Sequence, residues 1–537
     1  MFAHIRPIFI AFLSLCLGIW FAELFRQGKI IYIILLSAIL VLIIALTFFR
    51  LKFKKSKFFH YLWRVRKGTI TMFVAVIVGF SSFTLAYNRI IQEEVMDVDS
   101  TVDYIVMGTV RSAPIEYEAY MTMFVDDAML TDNDYNLDLG DQGIYLKIDT
   151  ENIDDSSVLY TAEAGDTIIL VATLKNVDVF NEDDIFSYAY KNNFRYMAYA
   201  DQDNISVISG KMSGLDSVRK YVKDTLYANM DERYAGLAYA VFIGDKSGLD
   251  YDLQSNFQAT GIAHLLAISG LHVGFMVLLL MFLLKLCRLK SLWRTCIISI
   301  LLVLYCILCG FSPSVVRASL MAVFLLLGQS LGKQGDNLNS LSLAGILLLL
   351  IDPMYLFDLS FLLSFASVFS IIMLYPMFEE WFMKLHLGKF VSATLAISLS
   401  AQIGTLPLLI NTFGYVSVIA LLVNFLLVPL FGYVYMALFS SLIITMIFSF
   451  MGFLLWVFQW GLWLIDIISS WFASFSFATV FVQGLVPIVL VIFFVALFCL
   501  SRFCVIKKRK NKAIVLSVAG FILISSVVLN YTVFPLL

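Results

Sequence analysis

Apolar runs near the roughly 20 residues that a helix needs to cross a bilayer occupy both ends of the chain. Pro7–Phe25, Ile30–Phe49 and Ile70–Ile90 are the first three. The first two follow one another without a small-residue cleavage pattern, so they read as a helical hairpin. Further runs lie near 267–287, 293–311, 315–331, 338–351, 360–375, 390–410, 415–450, 453–473, 485–503 and 513–534. The run at 415–450 is long enough for two helices. This pattern predicts a polytopic α-helical membrane protein.

Between the two apolar regions the period changes. Tyr104–Val110, Met121–Val125, Ile144–Ile148, Thr167–Leu174 and Tyr196–Val207 are short β-rich runs, separated by Asp-, Asn- and Gly-containing turns such as Thr131–Gly143. Five such strands suit a small barrel, and the OB-fold is the common five-stranded one. Residues 212–260 then carry a helical stripe, Leu215, Val218, Tyr221, Val222 and Leu226, which suits a helix lying on the membrane or on the barrel. The predicted organisation is 1–90 as N-terminal transmembrane helices, 91–211 as an inserted all-β, OB-like domain, 212–261 as an amphipathic helical connector, and 262–537 as the main transmembrane domain.

Composition and charge add a direction. The 537 residues are 61% hydrophobic and 14% charged, where soluble domains carry about 25% charged residues. Mean hydropathy is +0.89. The net charge of −2 hides a segregation: residues 91–210 hold 25 of 39 acidic side chains and 5 of 37 basic ones. Arg50–Lys67 holds eight basic residues and no acidic one. The positive-inside rule places that loop in the cytoplasm and the acidic segment, 91–265, outside it. Lys285–Arg294 and Arg502–Lys512 are expected in the cytoplasm too. Crossings counted from His386 to Arg502 give no clean parity, so one apolar run there is re-entrant, interfacial or merged. The seven cysteines lie in or beside apolar runs and none lies in 91–265, which predicts no disulfide framework in the exposed domain. Cys306 and Cys309 are read as packing residues.

The densest polar cluster inside an apolar run is Thr260 to Gly274, with His264, Ser269, Gly270 and His272. Polar groups at membrane depth are costly and usually face a cavity or a partner. Ser269-Gly270 permits a helix break, and broken helices at that depth line water-filled paths. The structural alternative is close helix packing around hydrogen-bonded histidines. His264 and His272 are eight residues apart, so an unbroken helix would set them roughly 80° apart around its axis, on one side. Arg317 follows Ser312-Pro313-Ser314 at the start of a run, placed to meet a phosphate or to snorkel. Asp352-Pro353 and Asp358 flank a turn and suit capping. Gln402 and Pro407, then Asn424 and Pro429, interrupt later runs. No G-x-x-x-x-G-K-[ST], G-x-S-x-G or H-x-H-x-D-H pattern appears, so no nucleotide motor, serine hydrolase or dinuclear metal centre is expected, and no catalytic residue, metal or cofactor is assigned.

His264-Leu-Leu-Ala-Ile-Ser-Gly-Leu-His272 resembles the most characteristic motif of the ComEC family of competence proteins. Gly244-Asp245 precedes it as in that family. Pro313-Ser-Val-Val-Arg317-Ala318, Asp352-Pro353 with Asp358-Leu-Ser-Phe-Leu-Leu-Ser-Phe365, Gln402 with Thr405-Leu-Pro407, and Asn424 with Pro429 resemble its later blocks in order. Asn181, Phe186-Ser-Tyr188-Ala-Tyr190 and Arg195 resemble the end of its β domain, with Glu182 and Ser187 departing from the usual Pro and Asp. The resemblance implies a channel carrying single-stranded DNA across the cytoplasmic membrane in natural transformation, not an enzyme. Its channel residues here would be His264, Ser269, Gly270, His272, Gly274, Arg317, Asp358, Gln402 and Pro407. Tyr104, Tyr196 and Arg195 are candidate DNA contacts in the barrel, where aromatic stacking would serve. Implied partners are single-stranded DNA, the lipid bilayer, and a DNA receptor and a cytoplasmic motor or nuclease supplied by other proteins, with homo-oligomerisation open. Many members add a metallo-β-lactamase-like domain; the chain ends at Leu537 without one, so a short form lacking that nuclease role is expected. The rivals are a secondary transporter or exporter of another anionic substrate, and a membrane enzyme using His264 or His272 as acid–base groups. No carboxylate stands close in sequence to support the second.

Overall fold

In a computed structural model the described residues are 7–27, 57–92, 97–332 and 336–482, apart from 112–113, 117–119, 133–134, 141, 150–161, 178–187, 209 and 211–213. The runs expected at Ile30–Phe49, 485–503 and 513–534 lie outside them, as do Asn181, Phe186 and Ser187.

The first described helices are α1 (Pro7–Arg26) and α2 (Lys57–Gln92). They cross at glycines. A Cβ on Gly18 would stand 2.2 Å from the Val76 carbonyl oxygen, and one on Gly79 would stand 2.4 Å from that of Leu15. In lipid, helices gain little from burying apolar surface against each other, so close backbone approach through small residues holds them together.

Strands β1 (Asp103–Val110), β2 (Ile115–Glu116), β3 (Tyr120–Asp132), β4 (Tyr135–Asp138), β5 (Gly143–Asp149), β6 (Thr167–Asn176) and β7 (Phe194–Ile208) follow, with a four-residue helix α3 (Tyr188–Lys191) before β7. Strict alternation of buried and open positions along β1 and β6 rolls the sheet around one apolar core that includes Val125, Leu130, Leu146, Leu170 and Tyr196. The main strands run β1-β6-β7-β5-β3, and β3 pairs back onto β1, closing a five-stranded barrel. All these pairings are antiparallel except β5 with β7. In order of their five long strands the ring reads 1-4-5-3-2, an OB-like barrel. The five β-runs expected from sequence each sit inside one of these strands.

Helices α4 (Gly214–Asn229), α5 (Glu232–Ile243) and α6 (Tyr251–Ala259) form the connector. The remaining helices are α7 (Gly270–Leu286), α8 (Ser291–Leu308), α9 (Pro313–Ser330), α10 (Asn337–Ile351), α11 (Leu359–Lys384), α12 (Lys389–Phe413), α13 (Ala420–Ile447) and α14 (Phe453–Ala473). A short strand β8 (Tyr415–Ser417) pairs with β9 (Thr479–Phe481). Among the described residues eight helices are long and apolar enough to cross a membrane, and Gly270–Leu286 and Asn337–Ile351 are shorter apolar ones. The chain is a multi-pass membrane protein with an inserted β-barrel. The run at 415–450 holds one long helix, not two: Gly414 ends α12 with φ +68°, and Pro429 is accommodated inside α13.

The barrel is tied to the helices at α3. The Tyr190 hydroxyl donates to Asp352 Oδ2 at 3.0 Å, and Lys191 lies 3.6 Å from Asp358. The connector is tied to both: Lys220 pairs with Glu163 of the barrel, and Arg219 Nε donates to the Leu308 carbonyl at 2.9 Å.

The glycine crossing is testable. Gly79→Leu forces α1 and α2 apart, at a cost of about 1–3 kcal/mol by analogy with overpacked cores. The expected result is a lower melting temperature of the detergent-purified protein. An unchanged melt would show that the crossing contributes little.

Candidate functional site

The polar cluster of the sequence is a break between α6 and α7. Thr260 returns its hydroxyl to the Asn256 carbonyl at 2.7 Å. Gly261 then takes φ +76°, and a Cβ there would meet that of Ala420 at 2.6 Å. A short 3-10 turn, Ala263–Leu265, follows. Ile262, Leu265, Leu266 and Ile268 are buried, while His264, Ala267 and Gly270 are exposed. The break therefore presents a polar, small-residue surface on one side and anchors itself with aliphatic groups on the other.

Ser269 starts α7 as its N-cap. Its hydroxyl accepts from Leu271 N at 3.2 Å, and its N–H donates to His272 Nδ1 at 3.2 Å. Since Nδ1 accepts, the neutral ring carries its proton on Nε2. That Nε2 is buried with no hydrogen-bond partner. The ring stands edge-on to Phe431 and Tyr435 of α13, both centroids 5.2 Å away, an arrangement open to weak N–H to ring contacts. His264 and His272 thus do not share one side: the break puts His264 outside α7, on the open surface, and buries His272 against α13.

Further buried polar atoms lack partners, some of them along α13. Asn424 Oδ1 and Thr445 Oγ1 are on it and Ser417 Oγ just precedes it, while others lie on α8, α10, α11 and α12 at Arg294, Asn339, Ser370 and Ser400. Buried groups of this kind each cost about 1–3 kcal/mol unless water or a ligand satisfies them. Asn424 was legible as an interruption of an apolar run. Tyr435 and Phe431 carried no signal, since aromatic residues in an apolar helix read as packing.

Arg317 neither snorkels nor faces open space, and the reason is its set of protein partners. It is 2% exposed. Nη1 donates to the Ser360 carbonyl at 3.2 Å, Nη2 to Ser314 Oγ at 3.3 Å, and the guanidinium lies 5.5 Å from the Phe365 ring centroid. Asp358, also 2% exposed, caps α11 through the N–H groups of Ser360 and Phe361. Burial pushes the Asp352 carboxyl above its ordinary range, opposed by hydrogen bonds from Met354 N and Tyr190. Gln402 bonds along its own helix to Ser398, and Pro407 is buried in α12. A Cβ on Gly270 would lie 3.8 Å from that of Ala318, and one on Gly274 would meet nothing within 4 Å. The structure thus brings α7's start beside α9, while Gln402 and Pro407 belong to the separate packing of α12.

In the barrel Tyr104, Tyr196 and Arg195 are 8%, 0% and 7% exposed. They offer no stacking face or free charge, which corrects the sequence expectation. Tyr104 and Tyr196 fall in the core phase of their strands, and a register shift between β5 and β7 sets Arg195 inside. The outward positions hold other aromatics. Phe124 on β3 faces Tyr145 on β5, Tyr145 faces Met197 on β7, and Met197 faces Lys175 on β6. Phe194 stacks on Tyr145 at 5.3 Å, and Tyr188 meets Phe124, Tyr145 and Phe194. The Arg111 guanidinium sits 5.4 Å from the Phe124 ring and Lys147 Nζ 4.0 Å from that of Tyr120. Arg111, Lys147 and Lys175 are three of the five basic residues of 91–210. Thus the acidic domain gathers half-buried aromatics and basic residues on one face, where Arg111 is paired with Asp126 and Phe124, Tyr145 and Met197 pack around Ala189 and Phe194.

A family model described as Competence protein matches residues 241–507. The chain is 32% identical over 217 residues to ComE operon protein 3 of Bacillus subtilis, a match covering 40% of this chain and 27% of the relative. It is 26% identical over 211 residues to Recombination protein 2 of Haemophilus influenzae, covering 37% and 27%. An uncharacterised protein of Aquifex aeolicus is 31% identical over 242 residues, covering 43% and 54%. The chain belongs to the ComEC family of competence proteins. Its matches span between about a quarter and a half of the length of these relatives. No solved structure matches. The family match takes in the break, Arg317, Asp358 and α13, whereas the barrel lies before it. Among the described residues no three His, Cys, Asp or Glu could hold a metal ion.

Asp358 can be tested as the charge that accompanies Arg317. Asp358→Ala removes a buried helix cap, about 1 kcal/mol, together with the carboxylate whose field favours the buried Arg317 guanidinium. The amount of folded, monodisperse protein should fall sharply, and Asp358→Glu should restore part of it. Equal folded amounts in Asp358→Ala would show that Arg317 is compensated elsewhere.

Proposed function

We propose that this chain passes single-stranded DNA across the cytoplasmic membrane during natural transformation, with the barrel and connector on the outer side. The observation that carries this reading is the break at 261–270: a polar, glycine-containing surface at the head of α7, beside a helix whose inward polar groups lack partners. Lipid satisfies neither helix ends nor such groups, whereas water and a passing phosphodiester do. His264, Ala267 and Gly270 would line the path, Gly274 would continue it along α7, and Ser269 and His272 would hold the break open. Arg317 acts from behind as a positioning residue. The strip of Phe124, Tyr145, Lys147 and Lys175 would hold the strand as it approaches, since stacking on aromatics is indifferent to base sequence. A DNA receptor and a cytoplasmic motor or nuclease would come from other proteins.

The experiment is uptake of labelled DNA by cells carrying single variants at matched levels of folded protein. His264→Ala, on the open surface, should leave folded protein unchanged and reduce uptake at least tenfold. Phe124→Ala with Tyr145→Ala should weaken single-strand binding by the purified full chain. Each stacked base is worth about 1–3 kcal/mol, or about 5- to 150-fold. Wild-type uptake in both variants would place the path elsewhere.

The sidedness has its own test. Reporter fusions at Asn136 and Lys57 should report the outside and the cytoplasm respectively, because of the charge segregation around them. Cytoplasmic-type activity at Asn136 would sink the topology.

A further inference from the structure

We propose that α13 and α14, although long and apolar enough to cross a bilayer, do not cross it, and instead lie along the barrel-side leaflet as an in-plane hairpin seated in lipid by a line of tryptophans. The sidedness of the barrel comes from the reading above; the placement of the hairpin beside it does not depend on that.

The contacts fix both ends of α13 to the connector. At its end, the Tyr221 hydroxyl donates to the Met446 carbonyl at 2.9 Å. At its start, Ala420 meets Gly261. At its middle, Tyr435 stands 5.4 Å from Phe242 and 5.2 Å from His272. The turn into α14 is held the same way, with Gly452 against Asn229 and Asp231 N donating to Gln459 at 2.9 Å. Arg233 grips Asp466 and Asp250, and Asn256 reaches Ser470 at 3.1 Å. The connector is therefore laid along the whole hairpin.

That connector is charged on either side of a buried apolar stretch, 235–243 of α5. Residues 214–262 carry twelve charged side chains, and α6 exposes Asp252, Ser255 and Gln258. It is bound to the barrel by Lys220 and Glu163 at one end and to the end of α8 by Arg219. At the other end it leads into α7 beside Ala318, in the second turn of α9. A 28-residue helix is about 42 Å long and a hydrocarbon core roughly 30 Å thick. A crossing α13 would draw one end of the charged connector through the bilayer.

The outer face of α14 names its partner. Trp456, Trp460, Trp463, Ile467 and Trp471 follow the spacing of one helical stripe, and all are exposed. They include half of the chain's eight tryptophans. Gln459, Asp466 and Ser469 lie on the opposite, buried face. Tryptophan concentrates at the headgroup level, so a spanning helix keeps it near its two ends. A line of it along the full helix, over a polar inner face, suits an amphipathic helix lying in the interface.

Cysteine labelling in cells, with the native cysteines removed, separates the alternatives. An impermeant maleimide is applied before and after permeabilisation to Ser449→Cys in the α13–α14 turn, Asp103→Cys on the barrel and Leu289→Cys between α7 and α8. Ser449→Cys should label together with Asp103→Cys and opposite to Leu289→Cys. Labelling together with Leu289→Cys, or from neither side, overturns the proposal. If Asp103→Cys labels only after permeabilisation, the sidedness of the proposed function fails, while the hairpin stands provided Ser449→Cys follows it. Spin labels at 456, 463 and 471 in nanodiscs should report equal depth by oxygen and nickel-chelate accessibility. A graded depth across the three overturns it independently.

Discussion

In a bilayer every polar group must find its partner within the protein or in trapped water, and this constraint explains where the chain is irregular. The helices that the sequence marks as plain spans are plain. Irregularity gathers at the break before α7, where Ser269 caps the helix and accepts the ring of His272 as a neighbour, and at the Asp352–Asp358 turn, where each carboxylate receives the N–H groups of the element it starts. Arg317 obeys the same rule by turning to a carbonyl, a hydroxyl and an aromatic face. Among the described residues the atoms that break it are spread over the bundle, on His272 of α7, Arg294 of α8, Asn339 of α10, Ser370 of α11, Ser400 of α12, and Asn424 and Thr445 of α13.

The same constraint makes the barrel more than an appended module. Tyr190 and Lys191 end on Asp352 and Asp358, and Asp358 is also the carboxylate nearest in effect to Arg317. Lys191 and Asp358 thus join the barrel to the start of α11 through one ion pair. The aromatic strip lies beside that joint, because Tyr188, which closes it, belongs to the same short helix as Tyr190 and Lys191.

Much of this architecture was legible in the sequence for physical reasons. Run length decides a membrane helix, and the spans at 293–311, 315–331 and 390–410 reappear as α8, α9 and α12 within a few residues. Alternation with turn residues decided the strands. Facing was not legible where the phase shifts: Arg195 sits at an irregularity that pairing with β5 creates, so Tyr196 points inward and Met197 outward. Partners distant in sequence were not legible either. Ser360 and Phe365 are 43 and 48 residues beyond Arg317, and only the fold decides that they, and not a phosphate, receive its charge. The two histidines part for a local reason. The break that Ser269-Gly270 permits does occur, and it separates the histidines, because serine with glycine after it is a better helix start than a middle.

The unsettled crossing count between His386 and Arg502 has a physical origin too. A hydropathy run records how apolar a segment is, not which way its axis points, and α13 and α14 are apolar enough for either orientation. What distinguishes them is polar and lies mostly elsewhere: Asp231, Arg233, Asp250 and Asn256 belong to the connector, and only Gln459, Asp466 and Ser470 mark the hairpin itself. An acid and an amide inside a membrane-length run are costly unless something polar lies alongside. The connector is that something, and it holds the hairpin on the side where charges can stay in water.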